Sequence, residues 1–214
     1  MAAIDHLVFA APDLDPATAA VGALVGVSAA AGGPHPGIGT RNTLLSLGDE
    51  VYLEIIAPDP DQPEPANPRP FGIDDLSAPR LVAFAVHPTQ GETIDDVIAA
   101  MRDCGEDFGD VAPMSRLTPD GEQLHWSLAF PAAGLTDGAA LVPFVIEWGD
   151  TTHPATVTPA GCTLVSMSAT HPDPDRIGAL YNSIGLGTAV SVSAGDTASL
   201  QAVLSSPKGR VTLR

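Results

Sequence analysis

The sequence predicts an α+β fold built from repeated modules, in which a strand and a helix are followed by two or three further strands. Apolar strand patterns open three parts of the chain, at residues 4–10, 81–86 and 163–169. A helix pattern and then shorter strand patterns follow each of them. The first and third helix starts align directly, with Asp15-Pro16 placed on Asp173-Pro174. Self-similarity of this kind indicates three βαβββ-like units.

Composition argues against several classes of function. The net charge is −17, from 26 acidic and 9 basic residues, so neither nucleic acid nor an anionic membrane is an expected partner. The sequence shows no leader pattern and no apolar run of membrane-spanning length, which predicts a cytoplasmic protein. Cys104 and Cys162 have no metal-type spacing, and we expect neither a disulfide nor a zinc site from them.

The first module is predicted over residues 1–57. Its opening strand, at residues 4–10, contains His6. Asp15 and Pro16 then supply the N-cap and the first-turn proline that are typical of a helix start. The remaining elements are predicted as a helix at 17–25, a loop at 32–39 and strands at 42–47 and 51–56.

A proline-rich linker is predicted over residues 58–80, because its prolines leave no room for a helix or a central strand. The second module is predicted over 81–150, and a third, degenerate module over 160–214. In the third module Leu164 stands where the first has His6, so this unit is interpreted as structural. The second module is expected to contain a helix at 92–102 and strands at 81–86, 114–117, 123–130 and 142–148. The third is expected to contain a helix that begins at Asp173-Pro174 and strands at 163–169, 189–193, 200–204 and 210–213.

Glu54 is the strongest functional signal in the sequence. It lies in the apolar run YLEII at residues 52–56, where a carboxylate has few structural reasons to be. Setting this run beside FVIEW at residues 144–148 pairs Glu54 with Glu147, in the last strand of each module. We therefore predict Glu54 and Glu147 as catalytic groups that move a proton.

Two histidines extend this set. Alternate residues of a strand share a face. If the strand faces that carry His6, His125 and the two glutamates line one cavity, the four side chains lie together in it. Imidazole and carboxylate groups suit divalent zinc, nickel, manganese or iron, which makes His6, Glu54, His125 and Glu147 the predicted metal ligands. Structural alternatives stay open, because a histidine in an apolar strand is more often a hydrogen-bonded core residue and a glutamate can point outward at a sheet edge.

Substrate contacts are predicted at His35, Asn42 and Trp126. Glycines on both sides of His35 let the backbone approach a ligand closely, although a loop of that composition also makes an ordinary turn. Asn42 and His125 occupy matching strands of the first two modules. His153 sits beside a proline-marked turn, where exposure to solvent is the ordinary expectation.

Three motifs resemble those of the glyoxalase-like domain family, within the vicinal oxygen chelate superfamily. They are GGPHPGIGTRN at residues 32–42, YLEIIAPDP at 52–60 and LVAFAVHP at 81–88. The resemblance covers about residues 4–185. It implies paired βαβββ modules that curl into a half-open barrel, around a site that holds a divalent metal in many members. It also leaves a homodimer open.

The family pattern places metal ligands on the first and last strands of each module, and His6, Glu54 and Glu147 match it. The second module departs from it, with Leu81 or Ala83 where a histidine is expected, so His125 would have to substitute from a neighbouring strand.

Three functions follow as hypotheses. The first is a metal-dependent lyase or isomerase that acts on a small oxygenated metabolite, with a glutamate transferring a proton. The second is a non-catalytic protein that binds or sequesters a small molecule in the same cavity. The third is a non-haem iron(II) dioxygenase that uses His6, His125 and one glutamate.

Overall fold

A computed structural model describes residues 1–89, 91–118, 120–135 and 141–214 of the protein. Its strands are β1 (Ala2–Ala10), β2 (Ala30–His35), β3 (Thr40–Ser46), β4 (Tyr52–Pro58), β5 (Arg80–Pro88), β6 (Ala112–Leu117), β7 (Gln123–Ala129), β8 (Phe144–Glu147), β9 (Thr163–His171), β10 (Val190–Ala194), β11 (Ser199–Ser206) and β12 (Gly209–Leu213). Its α-helices are α1 (Leu14–Val25), α2 (Ile94–Asp103) and α3 (Pro174–Ser183). Within the described ranges, no helix has both the length and the apolar character that a membrane crossing requires.

The first eight strands form one sheet, in the order β2-β3-β4-β1-β5-β8-β7-β6. β1 pairs in parallel with β4, and β5 pairs in parallel with β8. The two halves have the same internal arrangement and meet where β1 and β5 pair antiparallel. The predicted α+β fold, a half-open barrel made of repeated βαβββ modules, is therefore confirmed.

The two edge strands of this sheet, β2 and β6, approach each other and nearly close the barrel. Nη1 of Arg116 on β6 donates a hydrogen bond across the seam to the carbonyl oxygen of Gly32 on β2. At Gly33, where φ is +135°, a Cβ atom would lie only 2.7 Å from the carbonyl oxygen of Leu117. The seam therefore requires glycine at this position.

β2 corrects one prediction made from the sequence. Residues 32–39 are predicted as a loop, whereas Ala30–His35 form an edge strand that pairs with β3. Glycine and proline usually mark loops, but an edge strand tolerates them because one side of it needs no ladder hydrogen bonds.

The third unit repeats the element order of the others but not their strand order. Its separate sheet runs β10-β9-β11-β12, with β9 parallel to β10 and antiparallel to β11. Backbone hydrogen bonds join it to the barrel, from Leu164 N to the Leu47 carbonyl and from Leu81 N to the Arg214 carbonyl, at 2.9 and 2.8 Å. This unit packs against the outside of the barrel and contributes no residue to the cavity described below.

Side chains of the large sheet alternate between an outer and an inner face. On β4, Leu53 belongs to the core between the sheet and the helices, while Glu54 faces the interior of the barrel. On β8, Val145 lies in that same outer core and Ile146 faces the interior. The fold thus has an apolar core outside the barrel and a lined cavity inside it.

The proline-rich linker forms part of the cavity wall. Its 3-10 helix, Pro70–Asp75, carries Phe71, which is buried and has a φ of 66°. A bulky residue in this left-handed region is a true backbone outlier, which the surrounding contacts must hold in place. Arg69 anchors the segment through charged hydrogen bonds to Asp74 and Glu64, at 2.7 and 2.9 Å.

Candidate active site

The inner face of the barrel encloses a cavity with two chemically different walls. The first module supplies the polar wall, which includes His6, His35, Thr40, Asn42, Tyr52 and Glu54. The second module supplies most of the apolar wall, with Met114, Trp126, Leu128, Phe130, Phe144, Ile146 and Trp148. Arg116 is the only lysine or arginine among the described residues that line the cavity.

Glu54 is held at the centre of the polar wall. β4 turns its side chain inward, where only 7% of the residue is exposed. Nδ2 of Asn42, on the neighbouring strand β3, donates a 2.6 Å hydrogen bond to its Oε1. Nε2 of His6 lies 3.8 Å from its Oε2, and Nε2 of His35 lies 3.8 Å from its Oε1. Both oxygens of the carboxylate therefore face nitrogen atoms of the polar wall.

His6 is oriented by a buried carboxylate behind it. Nδ1 of His6 lies 2.6 Å from Oδ1 of Asp5, whose residue exposure is 0%. The other oxygen, Oδ2, accepts from Nε1 of Trp148 at 3.1 Å and from Nε2 of His153 at 3.0 Å. Burial alone would raise the pKa of Asp5, but the hydrogen bonds from His153 and His6 outweigh it and lower the pKa to about 2. Asp5 is therefore ionised, and it fixes the His6 proton on Nδ1 so that Nε2 faces Glu54.

A ring stack reinforces this orientation of His6. Its imidazole packs on the ring of Tyr52, with 4.6 Å between ring centroids and 20° between the planes. Phe144 meets the imidazole edge-on, with the centroids 5.3 Å apart. Burial raises the pKa of Tyr52 well above its usual value, which keeps the phenol neutral. The His6 ring is thus held by packing as well as by hydrogen bonding.

His35 is the second imidazole of the polar wall. Its Nδ1 lies 2.9 Å from Oγ1 of Thr40, and Nδ2 of Asn42 lies 3.2 Å from its Nε2. Burial lowers the pKa of His35, against the attraction of the nearby Glu54 carboxylate. His35 is therefore neutral at pH 7, with Nε2 accepting from the Asn42 amide.

Arg116 brings a positive charge into the cavity from β6. It is buried, with 5% of the residue exposed, and Nη1 is used by the bond to Gly32 across the seam. Burial lowers the pKa of its guanidinium, while the charge of Glu54 opposes that effect. An arginine remains charged despite such a shift. Among the described lining residues, the cavity thus contains one fixed cation, Arg116, and one carboxylate, Glu54, which do not form an ion pair within 4 Å.

Five of the residues predicted from the sequence line the cavity, namely His6, His35, Asn42, Glu54 and Trp126. Two others do not: His125 and Glu147 line a separate depression on the surface. The reason is strand alternation, since Trp126 and Ile146 face inward and their chain neighbours therefore face outward. The sequence overlay matched Glu54 with Glu147, but a shift of one residue exchanges the two faces of a strand.

The four-ligand metal site implied by the family resemblance does not fit these side chains. On β5, the residue opposite His6 is Ala85, which has no side-chain atom that could bind a metal. On β8, the inward position that corresponds to Glu54 is occupied by Ile146. Across the described parts of the chain, no group of three or more His, Cys, Asp or Glu side chains is arranged to hold a metal ion.

Three residues of the site were not among those predicted from the sequence: Asp5, Arg116 and His153. Asp5 is a lone acid in an apolar strand, the same signal that singled out Glu54. It reaches His6 because the pairing of β1 with β5 shifts register between Ile4 and His6. His153 is not simply exposed as expected, because its turn directs Nε2 to Asp5. For Arg116 the local sequence APMSRL offers no comparable signal.

Comparison with known proteins assigns the family. Residues 4–185 match the family model described as the glyoxalase-like domain. No curated protein is significantly similar to the chain. A hypothetical protein from Staphylococcus aureus has a solved structure with a TM-score of 0.64 at 12% identity, covering 92% of this chain and 88% of its own. This likeness shows the fold alone.

Two methylmalonyl-CoA epimerases also have similar solved structures, with lower TM-scores. The enzyme from Mycobacterium tuberculosis has a TM-score of 0.42 at 17% identity, covering 67% of this chain and 84% of its own. A Streptomyces coelicolor variant in complex with 2-nitronate-propionyl-CoA has a TM-score of 0.44 at 18% identity, covering 71% and 98%. The family-model match spans most of the sequence, and the chain belongs to the glyoxalase-like domain family.

Proposed function

We propose that the protein is an isomerase or lyase that moves a proton on a small oxygenated metabolite, with Glu54 as the base. The observation that carries this proposal is the burial of the Glu54 carboxylate inside a lined cavity. Among the described residues its ion-pair partners within 4 Å are histidines, with no lysine or arginine. A buried carboxylate without a cationic partner costs stability, so its presence is best explained by chemistry.

The proton step needs only groups that the cavity holds. An oxygen of Glu54 takes the proton from a carbon next to a carbonyl group, and the electron pair of the C–H bond moves onto the carbonyl oxygen. Returning the proton to another position completes an isomerisation, whereas loss of a neighbouring leaving group completes an elimination. No step in this scheme requires a bound metal.

His6 is the second group in the proposed mechanism. Because Asp5 holds the proton of its Nδ1, Nε2 is directed to Glu54 at 3.8 Å. It can take over the proton that Glu54 has removed, which keeps the carboxylate available as a base. Asp5 acts through His6 and is a positioning residue.

A non-catalytic role in binding small molecules is the second candidate. The specific observation in its favour is the extent of the apolar wall, where Trp126 and Trp148 lie with ring centroids 5.5 Å apart. Aromatic faces of this kind bind planar ligands without chemistry. The iron dioxygenase hypothesis loses support, because its second imidazole, His125, lies outside the cavity.

Hydrogen exchange with solvent separates the two candidates. The protein is incubated in D2O with pyruvate, 2-oxobutyrate, phenylpyruvate, butanone and phenylacetone, and C–H to C–D replacement is followed by proton NMR against a protein-free blank. The proposal expects exchange of at least one compound by the wild type and a loss of about 100-fold or more in Glu54→Gln. Glu147→Gln removes the other predicted catalytic carboxylate and is expected to keep the wild-type rate.

Two outcomes contradict the proposal. Equal exchange by wild type and a folded Glu54→Gln variant removes Glu54 from the mechanism. Absence of exchange above the blank for all five compounds, together with binding of one of them, favours the non-catalytic role.

A further inference from the structure

We infer that the cavity selects a small amphipathic carboxylate, whose carboxylate pairs with Arg116 and whose apolar or aromatic body lies on the wall of the second module. This inference rests on the proposed function, since it names the class of molecule on which the same cavity acts.

The first supporting observation is the state of Arg116. A guanidinium has five N–H donors, and the described contacts use one side of it, through Nη1 and the Gly32 carbonyl. No described carboxylate lies within 4 Å of its nitrogens, although the residue is only 5% exposed. A buried cation without an anionic partner is costly, and a ligand carboxylate that binds it offsets that cost.

The geometry of the seam makes Arg116 suited to this role. The bond to Gly32 fixes one end of the guanidinium plane on β2. A guanidinium held in this way presents a rigid fork of donors that matches the two oxygens of a carboxylate. The protein carries a net charge of −17, so its overall field repels anions and the selection has to occur locally in the cavity.

The second supporting observation is the wall that faces the polar groups. Phe130 and Phe144 lie with ring centroids 5.2 Å apart, beside Trp126 and Trp148. A ligand that has a carboxylate but no apolar group leaves this wall in contact with water, and a neutral apolar ligand leaves Arg116 unpaired. A ligand that has both parts gains both interactions.

The test uses intrinsic fluorescence, because the chain has two tryptophans and both line the cavity. The intact protein is titrated with 3-phenylpropionate, with 3-phenylpropan-1-ol, which has the same body without the charge, and with propionate, which lacks the body. We expect the wild type to bind 3-phenylpropionate at least about 10-fold more tightly than either of the others. Equal affinity for the acid and the alcohol in the wild type overturns the inference without any variant.

Variants assign the selectivity to one residue. Arg116→Gln keeps a polar amide but has no charge, and it is expected to bind the acid and the alcohol equally. Arg116→Lys keeps the charge and is expected to keep part of the preference. Arg210→Gln removes one positive charge from an exposed position of β12 and is expected to behave as the wild type. A full preference in a folded Arg116→Gln contradicts the inference.

The failure of this inference and the failure of the proposed function give different results. If neutral ketones exchange hydrogen and 2-oxo acids do not, the base chemistry stands and the carboxylate class is wrong. If 3-phenylpropionate binds through Arg116 but none of the tested compounds that carry a carboxylate exchanges hydrogen, the ligand class stands and the catalytic role is wrong. Glu54→Gln is expected to bind 3-phenylpropionate at least as tightly as the wild type while losing exchange.

Discussion

Nε2 of His6 lies 3.8 Å from Oε2 of Glu54, although the two side chains come from different strands. β1 and β4 run parallel, with His6 opposite Tyr52 and Val8 opposite Glu54. The two functional side chains therefore share the inner face and meet diagonally across one strand pair. This relationship places a potential proton acceptor beside the buried carboxylate, and it depends on what holds His6 in position.

Replacement of Asp5 by asparagine should destabilise the protein and misplace His6. The carboxylate accepts three N–H groups, and an asparagine side chain would direct one of its own N–H groups at a donor. We expect a loss of about 3 kcal/mol in the free energy of unfolding at pH 7, measured by urea denaturation. Asp49→Asn, at an exposed turn, is the matched control and should change it by less than about 0.5 kcal/mol. A loss in Asp5→Asn as small as in this control would contradict the role given to Asp5.

The contribution of Asp5 should depend on pH in a defined window. Its pKa is about 2 in the folded protein, below its ordinary value of 3.8. A lowered pKa means stability that is present above about pH 4 and lost as the pH falls towards 2, an effect of roughly 2 kcal/mol. The difference in unfolding free energy between wild type and Asp5→Asn should therefore shrink between pH 4 and pH 2. A difference that stays constant over this window would show that Asp5 is not ionised in the fold.

Closure of the barrel can be tested at two glycines of the same segment. Alanine at Gly33 would place Cβ 2.7 Å from the Leu117 carbonyl oxygen, at a φ of +135°. Alanine at Gly37 has a φ of +78° but meets nothing within 4 Å. We expect Gly37→Ala to cost about 1 kcal/mol of unfolding free energy from backbone strain alone, and Gly33→Ala to cost at least about 2 kcal/mol more. Urea denaturation measures both, and equal costs would mean that the seam is open in solution.

Much of the fold follows from local patterns in the sequence. The strand predicted at 81–86 and the helix predicted at 92–102 correspond to β5 (Arg80–Pro88) and α2 (Ile94–Asp103). Apolar periodicity is strong in both segments, and it depends only on neighbouring residues. The strand order of the third unit could not be predicted in this way, because β9 pairs with β10 and β11 through contacts between distant parts of the chain.

The site was predicted only in part, for a related reason. The composition of an apolar strand singles out Glu54, and the structure places it inside the barrel. A shift of one residue in the alignment of the two motifs decides whether Glu147 points into the barrel or away from it. An overlay of short motifs does not determine the alignment to within one residue. Arg116 enters the site because the barrel seam brings β6 to β2, and the local sequence of neither strand indicates which strand it will meet.

Replacement of Asn42 by aspartate tests Glu54 as the base without removing it. Nδ2 of Asn42 lies 2.6 Å from Oε1 of Glu54, so the variant would place a second carboxylate at hydrogen-bond distance. Two carboxylates this close share one proton, because both cannot be ionised at little cost. Glu54 loses the N–H that stabilises its ionised form and gains a neighbouring acid, so its ionised form would appear only at higher pH.

The acid limb of the pH profile of hydrogen exchange should therefore move upward by at least about one pH unit in Asn42→Asp. Exchange rates measured from pH 4 to pH 9 with the compound that the wild type turns over would show this shift. Asn182→Asp adds the same charge at an exposed position outside the cavity and should leave the profile in place. An unshifted acid limb in a folded Asn42→Asp would mean that the ionisation controlling exchange belongs to a group other than Glu54.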